Sequence, residues 1–137
     1  MNPILALDFG RARIGVAISD ELHLLAHPLE TISANQQPAA RVAEIVRDKN
    51  VDHVVAGIPK RMDGQIGSAA TEVLQFVEKL RLEEAKARLV IPRSTVQNVA
   101  ESVGFKNRFV FSRAFERRFG LRPNAYRQRF QPSVKPV

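Results

Sequence analysis

The sequence has no cysteine among its 137 residues. This absence excludes disulfide bonds, thiolate metal sites and a cysteine nucleophile. No apolar run approaches the roughly 18 residues that a membrane-spanning helix needs, and residues 1–9, which Asp8 interrupts, are too short and too weakly charged for a signal peptide. The sequence therefore predicts a cytoplasmic protein with no membrane partner, and its 45% hydrophobic content is sufficient for a globular core.

Internal repeats and low-complexity runs are also missing, and a chain of this length corresponds to one ordinary domain or two small ones. The charges are unevenly distributed. Residues 1–80 hold 8 Lys/Arg against 10 Asp/Glu, a net charge of −2, and residues 81–137 hold 13 against 4, a net charge of +9. A basic excess confined to one segment indicates a nucleic-acid partner there. The alternative is a basic tail that only aids solubility, but aromatic residues are interleaved with the arginines at helical spacing.

Four short apolar runs in the first segment, bounded by glycine, proline or polar residues, predict β-strands. They lie at residues 4–9, 14–19, 24–32 and 51–58. The close spacing of the first two predicts an antiparallel hairpin, and the third is expected to break near Pro28. Pro38 suits the first turn of a helix that follows the third strand.

A long helix is predicted from Ser68 to about Leu89, because neither glycine nor proline interrupts this stretch and Pro92 ends it. Its apolar stripe changes phase after Leu80, close to the point where the charge changes sign. We therefore place the join between two segments near residue 80. A join inside a helix is unusual for a natural domain boundary.

The last third of the chain shows the pattern of a short helix, a glycine turn and a second, basic helix. Ser94 or Thr95 can cap the first helix, whose apolar residues over 96–103 recur on one side. Gly104 supplies the turn, and Gly120 ends the second helix. That helix carries aromatic residues at four-residue steps, which we expect in the core: Phe111, Phe115 and Phe119. This order of elements describes a helix-turn-helix.

Residues 99–105 (VAESVGF) and 111–115 (FSRAF) resemble the second helix-turn-helix of the AraC family of transcription activators. Residues 81–89 (RLEEAKARL) resemble the linker helix of the same family, so that the resemblance covers residues 80–128. The family's first helix-turn-helix, which should precede the linker helix, is absent. Half of the usual DNA footprint is therefore missing.

By this resemblance, the exposed amino-terminal face of the second helix enters a DNA major groove. Arg108, Ser112 and Arg113 match the family positions that face DNA, and the arginine fork can pair with guanine O6 and N7. Phe109 occupies another outward position, where it contacts thymine methyl groups or simply packs. Arg117 faces outward without matching a base-contacting position. The alternative for the arginines is a solvated helix face that contacts phosphates only.

The first segment resembles a different family, that of the Holliday junction resolvases or pre-16S rRNA nucleases, which have a ribonuclease-H-like fold. The matching stretches are residues 5–10 (LALDFG), 13–20 (RIGVAISD), 27–31 (HPLET), 57–59 (GIP) and 62–64 (MDG). Together the two resemblances imply an α+β protein: a partial ribonuclease-H-like mixed sheet with helices over residues 1–80, then an all-α helix-turn-helix segment over 81–130 and a tail at 131–137.

Nucleases of this fold hold divalent metals between several carboxylates, and one side chain cannot supply the octahedral oxygen set of Mg²⁺. Asp8 matches the family's first catalytic acid and is the candidate catalytic and metal-binding residue. The resemblance places the other acids on a fifth strand and a last helix, which the chain does not show after residue 80. Asp20 and Asp63 are interpreted as loop residues that satisfy backbone donors. We therefore predict a vestigial Asp8 and no cofactor, with Mg²⁺ needed only by a nuclease.

Without a fifth strand, residues 51–58 form an open sheet edge through which copies of the chain can self-associate. Three functions are compatible with the sequence. The first is weak binding of duplex DNA through the helix-turn-helix. The second is a metal-dependent nuclease that uses Asp8, and the third is a recombined chain, engineered or accidental, without evolved activity. DNA binding ranks above catalysis here because its residues are present and most of the nuclease's acids are not.

Overall fold

The structure is a computed structural model that describes residues 2–57 and 67–133. It has the predicted α+β class, and the chain divides into two compact units, Met1–Leu80 and Arg81–Val137, here named unit 1 and unit 2. The long helix predicted across the join is confirmed, because one continuous helix, α2, spans Ser68–Leu89. No helix within the described residues is long and apolar enough to cross a membrane.

Unit 1 contains a four-stranded mixed sheet. The strands are β1 (Ile4–Phe9), β2 (Arg13–Ser19), β3 (Ala26–Ser33) and β4 (His53–Ala56), and helix α1 (Pro38–Asp48) lies between β3 and β4 in the chain. Their order in the sheet is β3-β2-β1-β4. The β1–β2 and β2–β3 pairs are antiparallel, as predicted for the first hairpin, and β1 and β4 are parallel.

The core of unit 1 lies on one face of this sheet. Leu5 and Leu7 of β1 are buried, whereas Ala6 and Asp8 between and beyond them are exposed. This alternation follows from the two-residue period of a strand. The buried face packs against apolar side chains of α1 and the first part of α2, namely Ala39, Val42, Ile45 and Phe76. The opposite face carries Asp8.

Two details of the predicted strands differ in the structure. The strand β3 continues through Pro28, which pairs with Ala17, but its register with β2 shifts beside that proline, since Val16 pairs with Glu30. Because β3 lies at the edge of the sheet, the missing N–H of proline is tolerated there. The fourth strand is shorter than predicted and spans only His53–Ala56.

Unit 2 contains the end of α2 and three further helices: α3 (Val96–Ser102), α4 (Arg108–Phe119) and α5 (Pro123–Phe130). Of the two predicted caps, Thr95 is the one used, because its side chain accepts a hydrogen bond from the Asn98 N–H at 3.2 Å. Gly104 and Gly120 have φ values of 92° and 80°, which favour glycine. The helix α5, with Pro123 in its first turn, was not predicted.

Aromatic rings fill the core of unit 2, as the four-residue spacing predicts. Phe111 and Phe115 are completely buried, and Phe119 and Tyr126 are half-buried beside them. The ring centroid of Phe115 lies 4.6 Å from that of Phe119 and 5.6 Å from that of Tyr126. Such pairs stabilise by about 0.5–1.5 kcal/mol beyond the area that they bury.

The carboxylate of Glu83 on α2 is buried in unit 2. Its Oε1 accepts a hydrogen bond from the Nη2 of Arg118 on α4 at 2.9 Å, and its Oε2 lies 3.3 Å from the Nζ of Lys86. Burial and, secondarily, the charge of Glu83 raise the pKa of the Tyr126 hydroxyl. The side chain of Gln131 caps the end of α2, because its amide donates a hydrogen bond to the carbonyl oxygen of Leu89 at 3.1 Å.

We expect Glu83→Gln to lower the free energy of unfolding of unit 2 by about 3 kcal/mol, because the substitution leaves the Arg118 guanidinium without its buried counter-charge. The chain has one tyrosine and no tryptophan. Intrinsic fluorescence during urea unfolding therefore reports on Tyr126 and hence on unit 2.

The matched control is Glu116→Gln, which removes the carboxylate of a more exposed pair: the Glu116 Oε2 lies 3.0 Å from the Arg122 Nε. It should cost less than about 1 kcal/mol. Equal losses in the two variants would show that burial of Glu83 does not determine the strength of its ion pair.

The second prediction concerns β4, which pairs only with β1 among the residues that the structure describes. Its Val55 side chain is half exposed. We expect the chain to associate as its concentration rises from about 10 µM to 1 mM. Val55→Lys should weaken this association, because a charged side chain on an edge strand disfavours pairing with a strand of another chain. Sedimentation velocity measures both.

Leu24→Lys is the control for this prediction, because it introduces the same charge at an exposed leucine of the β2–β3 loop. It should leave the association unchanged. A chain that stays monomeric over the whole range, or an equal effect of both lysines, would contradict association through β4.

Candidate nucleic-acid interface

The helix α4 is held at its start by a side-chain cap. The side-chain Oδ1 of Asn107 accepts hydrogen bonds from the backbone N–H groups of Phe109, at 2.7 Å, and Val110, at 3.4 Å. Asparagine is among the preferred residues at this position. The preceding turn contains Gly104, and the ring of Phe105 packs against that of Phe111 at 5.2 Å between centroids. The turn and the cap together fix where α4 begins.

The five residues predicted to face DNA all lie on α4. Arg108, Phe109, Arg113 and Arg117 are exposed, and Ser112 is half-buried. Because an α-helix repeats every 3.6 residues, Phe109, Arg113 and Arg117 point away from the buried phenylalanines. Arg108, in the first turn of the helix, and Ser112 lie beside the aromatic side.

The arginines of α4 differ in their electrostatic surroundings. No carboxylate in the described part of the chain pairs with Arg108, Arg113 or Arg117, whereas Arg118 is turned inward to Glu83. The acid on the exposed face, Glu116, is paired with an arginine outside α4. The exposed face is thus positively charged and its guanidinium groups keep their donors for a ligand.

Four of these residues, Arg108, Phe109, Ser112 and Arg113, form one wall of an open groove of about 720 Å³. The starts of α3 and α5 supply the rest of the lining. The groove residues at the starts of these two helices, chiefly Gln97, Arg122 and Asn124, are not among the residues predicted from the sequence. A helix beginning at Pro123 could have been predicted from the preference of proline for the first helical position, and it would have pointed to the two residues beside it.

The other predicted site residue, Asp8, lies in unit 1 near the end of β1. Its side chain is exposed on the face of the sheet that α1 does not cover, opposite Gly15 of β2. Together with small side chains such as Ala17 and Thr31 it lines a shallow depression of about 330 Å³. The depression is open and apolar apart from a few polar groups.

The groups near Asp8 do not form a metal site within the described residues. The carboxylate of Glu30 also lines the depression, but Arg41 binds it at 2.7 Å and 2.9 Å and lowers its pKa through these hydrogen bonds. Over residues 2–57 and 67–133, no three His, Asp or Glu side chains are grouped as metal ligands. Asp20 accepts a hydrogen bond from the Leu24 N–H at 2.7 Å, as expected of a loop residue. Asp63 lies outside the described residues.

Two family models match the sequence. The model of the Holliday junction resolvase family matches residues 2–103, about three quarters of the chain. The model of bacterial regulatory helix-turn-helix proteins of the AraC family matches residues 92–128. The first match extends beyond the join that we placed near residue 80, and the two matches overlap over residues 92–103.

Curated relatives that match the chain carry the name pre-16S rRNA nuclease. The relative from Roseiflexus sp. (strain RS-1) is 48% identical over 80 residues, which are 57% of this chain and 57% of the relative. The relative from Desulforudis audaxviator is 42% identical over 81 residues, 58% of this chain and 57% of that protein. The relative from Fusobacterium nucleatum is 43% identical over 84 residues, 61% of each.

The chain spans less than two thirds of the length of these relatives. The two family models and the named relatives support both resemblances stated from the sequence. As to function, the comparisons support the nuclease hypothesis more strongly than the DNA-binding hypothesis, which rests on the helix-turn-helix model alone. Because a single family model matches most of its length, this chain belongs to the Holliday junction resolvase family.

Proposed function

We propose that this chain binds nucleic acid and that unit 2 binds duplex DNA through the exposed face of α4. The observation that carries the proposal is that α4 presents three exposed arginines, Arg108, Arg113 and Arg117, none of which pairs with a carboxylate among the described residues. They stand on a segment whose net charge is +9. The helix-turn-helix match over residues 92–128 supports the same surface.

The shape of this surface suits a duplex. An α-helix fits the major groove of B-DNA, where an arginine can donate to both O6 and N7 of guanine. The groove beside α4 carries further donors, Gln97, Arg122 and Asn124, which suit phosphate contacts that position a protein without reading sequence. The double-stranded RNA major groove is too deep and narrow for side chains to read.

We propose weak binding, since one helix-turn-helix contacts few phosphates. Non-specific complexes of this kind have dissociation constants of about 10⁻⁴–10⁻⁶ M at physiological salt. A role in transcription regulation would follow only if a preferred sequence exists. The interpretation as a recombined chain without evolved activity is compatible with such residual binding, and it stays a hypothesis.

The second candidate function is metal-dependent cleavage of nucleic acid, which the comparisons favour. The supporting observations are the family membership and the relatives named pre-16S rRNA nuclease. Asp8, by resemblance the first catalytic acid of the family, is exposed on an accessible sheet face. Mg²⁺ needs several oxygen ligands, and the described residues around Asp8 do not supply them. They therefore do not fit a divalent metal, and we derive no step through one.

Cleavage is tested directly. We expect no Mg²⁺- or Mn²⁺-dependent cleavage of branched DNA or of a pre-16S rRNA fragment above background, because Asp8 lacks partner carboxylates among the described residues. The assay compares the chain with its Asp8→Asn variant in a gel-based time course, with Asp20→Asn as the control for loss of an acid elsewhere. Turnover that disappears in Asp8→Asn and persists in Asp20→Asn would establish the nuclease function.

Binding is tested with a labelled 20-base-pair duplex by fluorescence anisotropy at two salt concentrations. We expect Arg117→Ala to weaken binding to all sequences alike and to reduce the slope of log K against log salt by about 1. Arg108→Ala or Arg113→Ala should cost about 1–3 kcal/mol where a preferred sequence exists.

Lys49→Ala, which removes one positive charge at the end of α1 in unit 1, is the matched control and should leave affinity and slope unchanged. If Arg108→Ala and Arg113→Ala also leave both unchanged, α4 does not contact DNA. The positive charge of unit 2 would then be a solvated surface.

A further inference from the structure

Aromatic and cationic side chains are interleaved on a second surface of unit 2, here named the aromatic surface. Its members come from three helices: Lys86 of α2, Phe119 at the end of α4, and Tyr126, Arg129 and Phe130 of α5. Other residues line the groove beside α4. The aromatic surface is therefore distinct from the candidate duplex interface.

The rings of this surface continue the buried core of unit 2 outward into solvent. The completely buried ring of Phe115 lies 5.6 Å from Tyr126 between centroids, and Tyr126 lies 4.6 Å from Phe130. Tyr126 is half-buried, whereas Phe130 is 50% exposed. Because Phe130 packs against Tyr126, its exposed part is a preformed apolar surface, which loses little conformational entropy when it binds a ligand.

A cation lies next to the ring at each end of this surface. The Lys86 Nζ is 4.8 Å from the centroid of Phe119, and the guanidinium carbon of Arg129 is 5.4 Å from the centroid of Phe130. Lys86 also pairs with Glu83, but Arg129 has no carboxylate partner among the described residues. Because unit 2 carries a net charge of +9, the surface favours an anion that also has a flat apolar face.

Single-stranded nucleic acid combines these two properties, because its unpaired bases expose their faces between charged phosphates. Proteins bind such strands by stacking bases on aromatic side chains while cations contact the backbone. We infer that the aromatic surface binds a single strand, with one base stacked on Phe130 and a neighbouring phosphate contacted by Arg129. This site goes beyond the proposed duplex binding and does not depend on it, because it uses none of the exposed arginines of α4.

The test uses the full chain and two labelled strands of about 12 residues with the same number of phosphates, an oligodeoxycytidine and a strand of abasic deoxyribose. Fluorescence anisotropy should show that the base-bearing strand binds at least about fivefold more tightly, because a stacked base adds affinity that phosphates alone do not. Phe130→Leu keeps an apolar side chain but removes the aromatic face, and it should bring this ratio to about 1. Phe130→Trp should retain the ratio.

Two further measurements separate stacking from other effects. Val110→Ala, which shortens an apolar side chain that is also 50% exposed, is the matched control and should leave the ratio unchanged. The base-bearing strand should lower the fluorescence of Tyr126, whose ring contacts Phe130, and the abasic strand should not. Far-ultraviolet circular dichroism verifies that each variant is folded.

An oligocytidine of the same length distinguishes RNA from DNA as the source of the strand, and a Phe130-dependent preference for bases in either one supports the site. Equal affinity for base-bearing and abasic strands would overturn the inference, because charge alone would then account for binding. So would a preference that persists in Phe130→Leu, or one that is lost equally in Phe130→Trp. Affinity of Phe130→Leu for duplex DNA should stay unchanged, so that failure of this site and failure of duplex binding by α4 are told apart.

Discussion

The exposed surface of α4 depends on the packing of aromatic rings on its inner side. Phe111 and Phe115 are completely buried, and removing such a side chain from water stabilises a fold by about 1.5–3 kcal/mol. Because the helix repeats every 3.6 residues, holding these two rings inside directs Phe109 and Arg113 outward. The candidate interface is thus a geometric consequence of the core of unit 2.

Burial also divides the arginines of α4 into two groups. Arg117 and Arg118 are neighbours in sequence, yet Arg117 is exposed and Arg118 binds the buried carboxylate of Glu83. A buried carboxylate is costly unless it is paired, so Glu83 requires one arginine from α4. Arg113 and Arg117 stay available on the outer side of the helix, and this separation of structural from exposed guanidinium groups produces the positive surface.

In unit 1 the two-residue period of the strand separates buried from exposed side chains, as the 3.6-residue period of the helix does in unit 2. Leu5 and Leu7 face the core, and Asp8 therefore lies on the open face of the sheet. This position agrees with membership of the Holliday junction resolvase family. The chain covers less than two thirds of its named relatives, and the described residues around Asp8 supply few of the ligands that a metal-dependent nuclease requires.

The sequence by itself determined the first hairpin, from the close spacing of two apolar runs, and the continuous helix α2, which neither glycine nor proline interrupts. It also determined the aromatic side of α4, through the 3.6-residue period of the helix. Only the tertiary structure decided that β3 continues through Pro28, that Thr95 rather than Ser94 caps α3, and that the groove beside α4 is completed by residues at the starts of α3 and α5. The pairing of Pro28 and the lining of the groove depend on contacts between separate elements, and the cap depends on which side chain reaches the Asn98 N–H. The local pattern of hydrophobic and polar residues carries no record of such contacts.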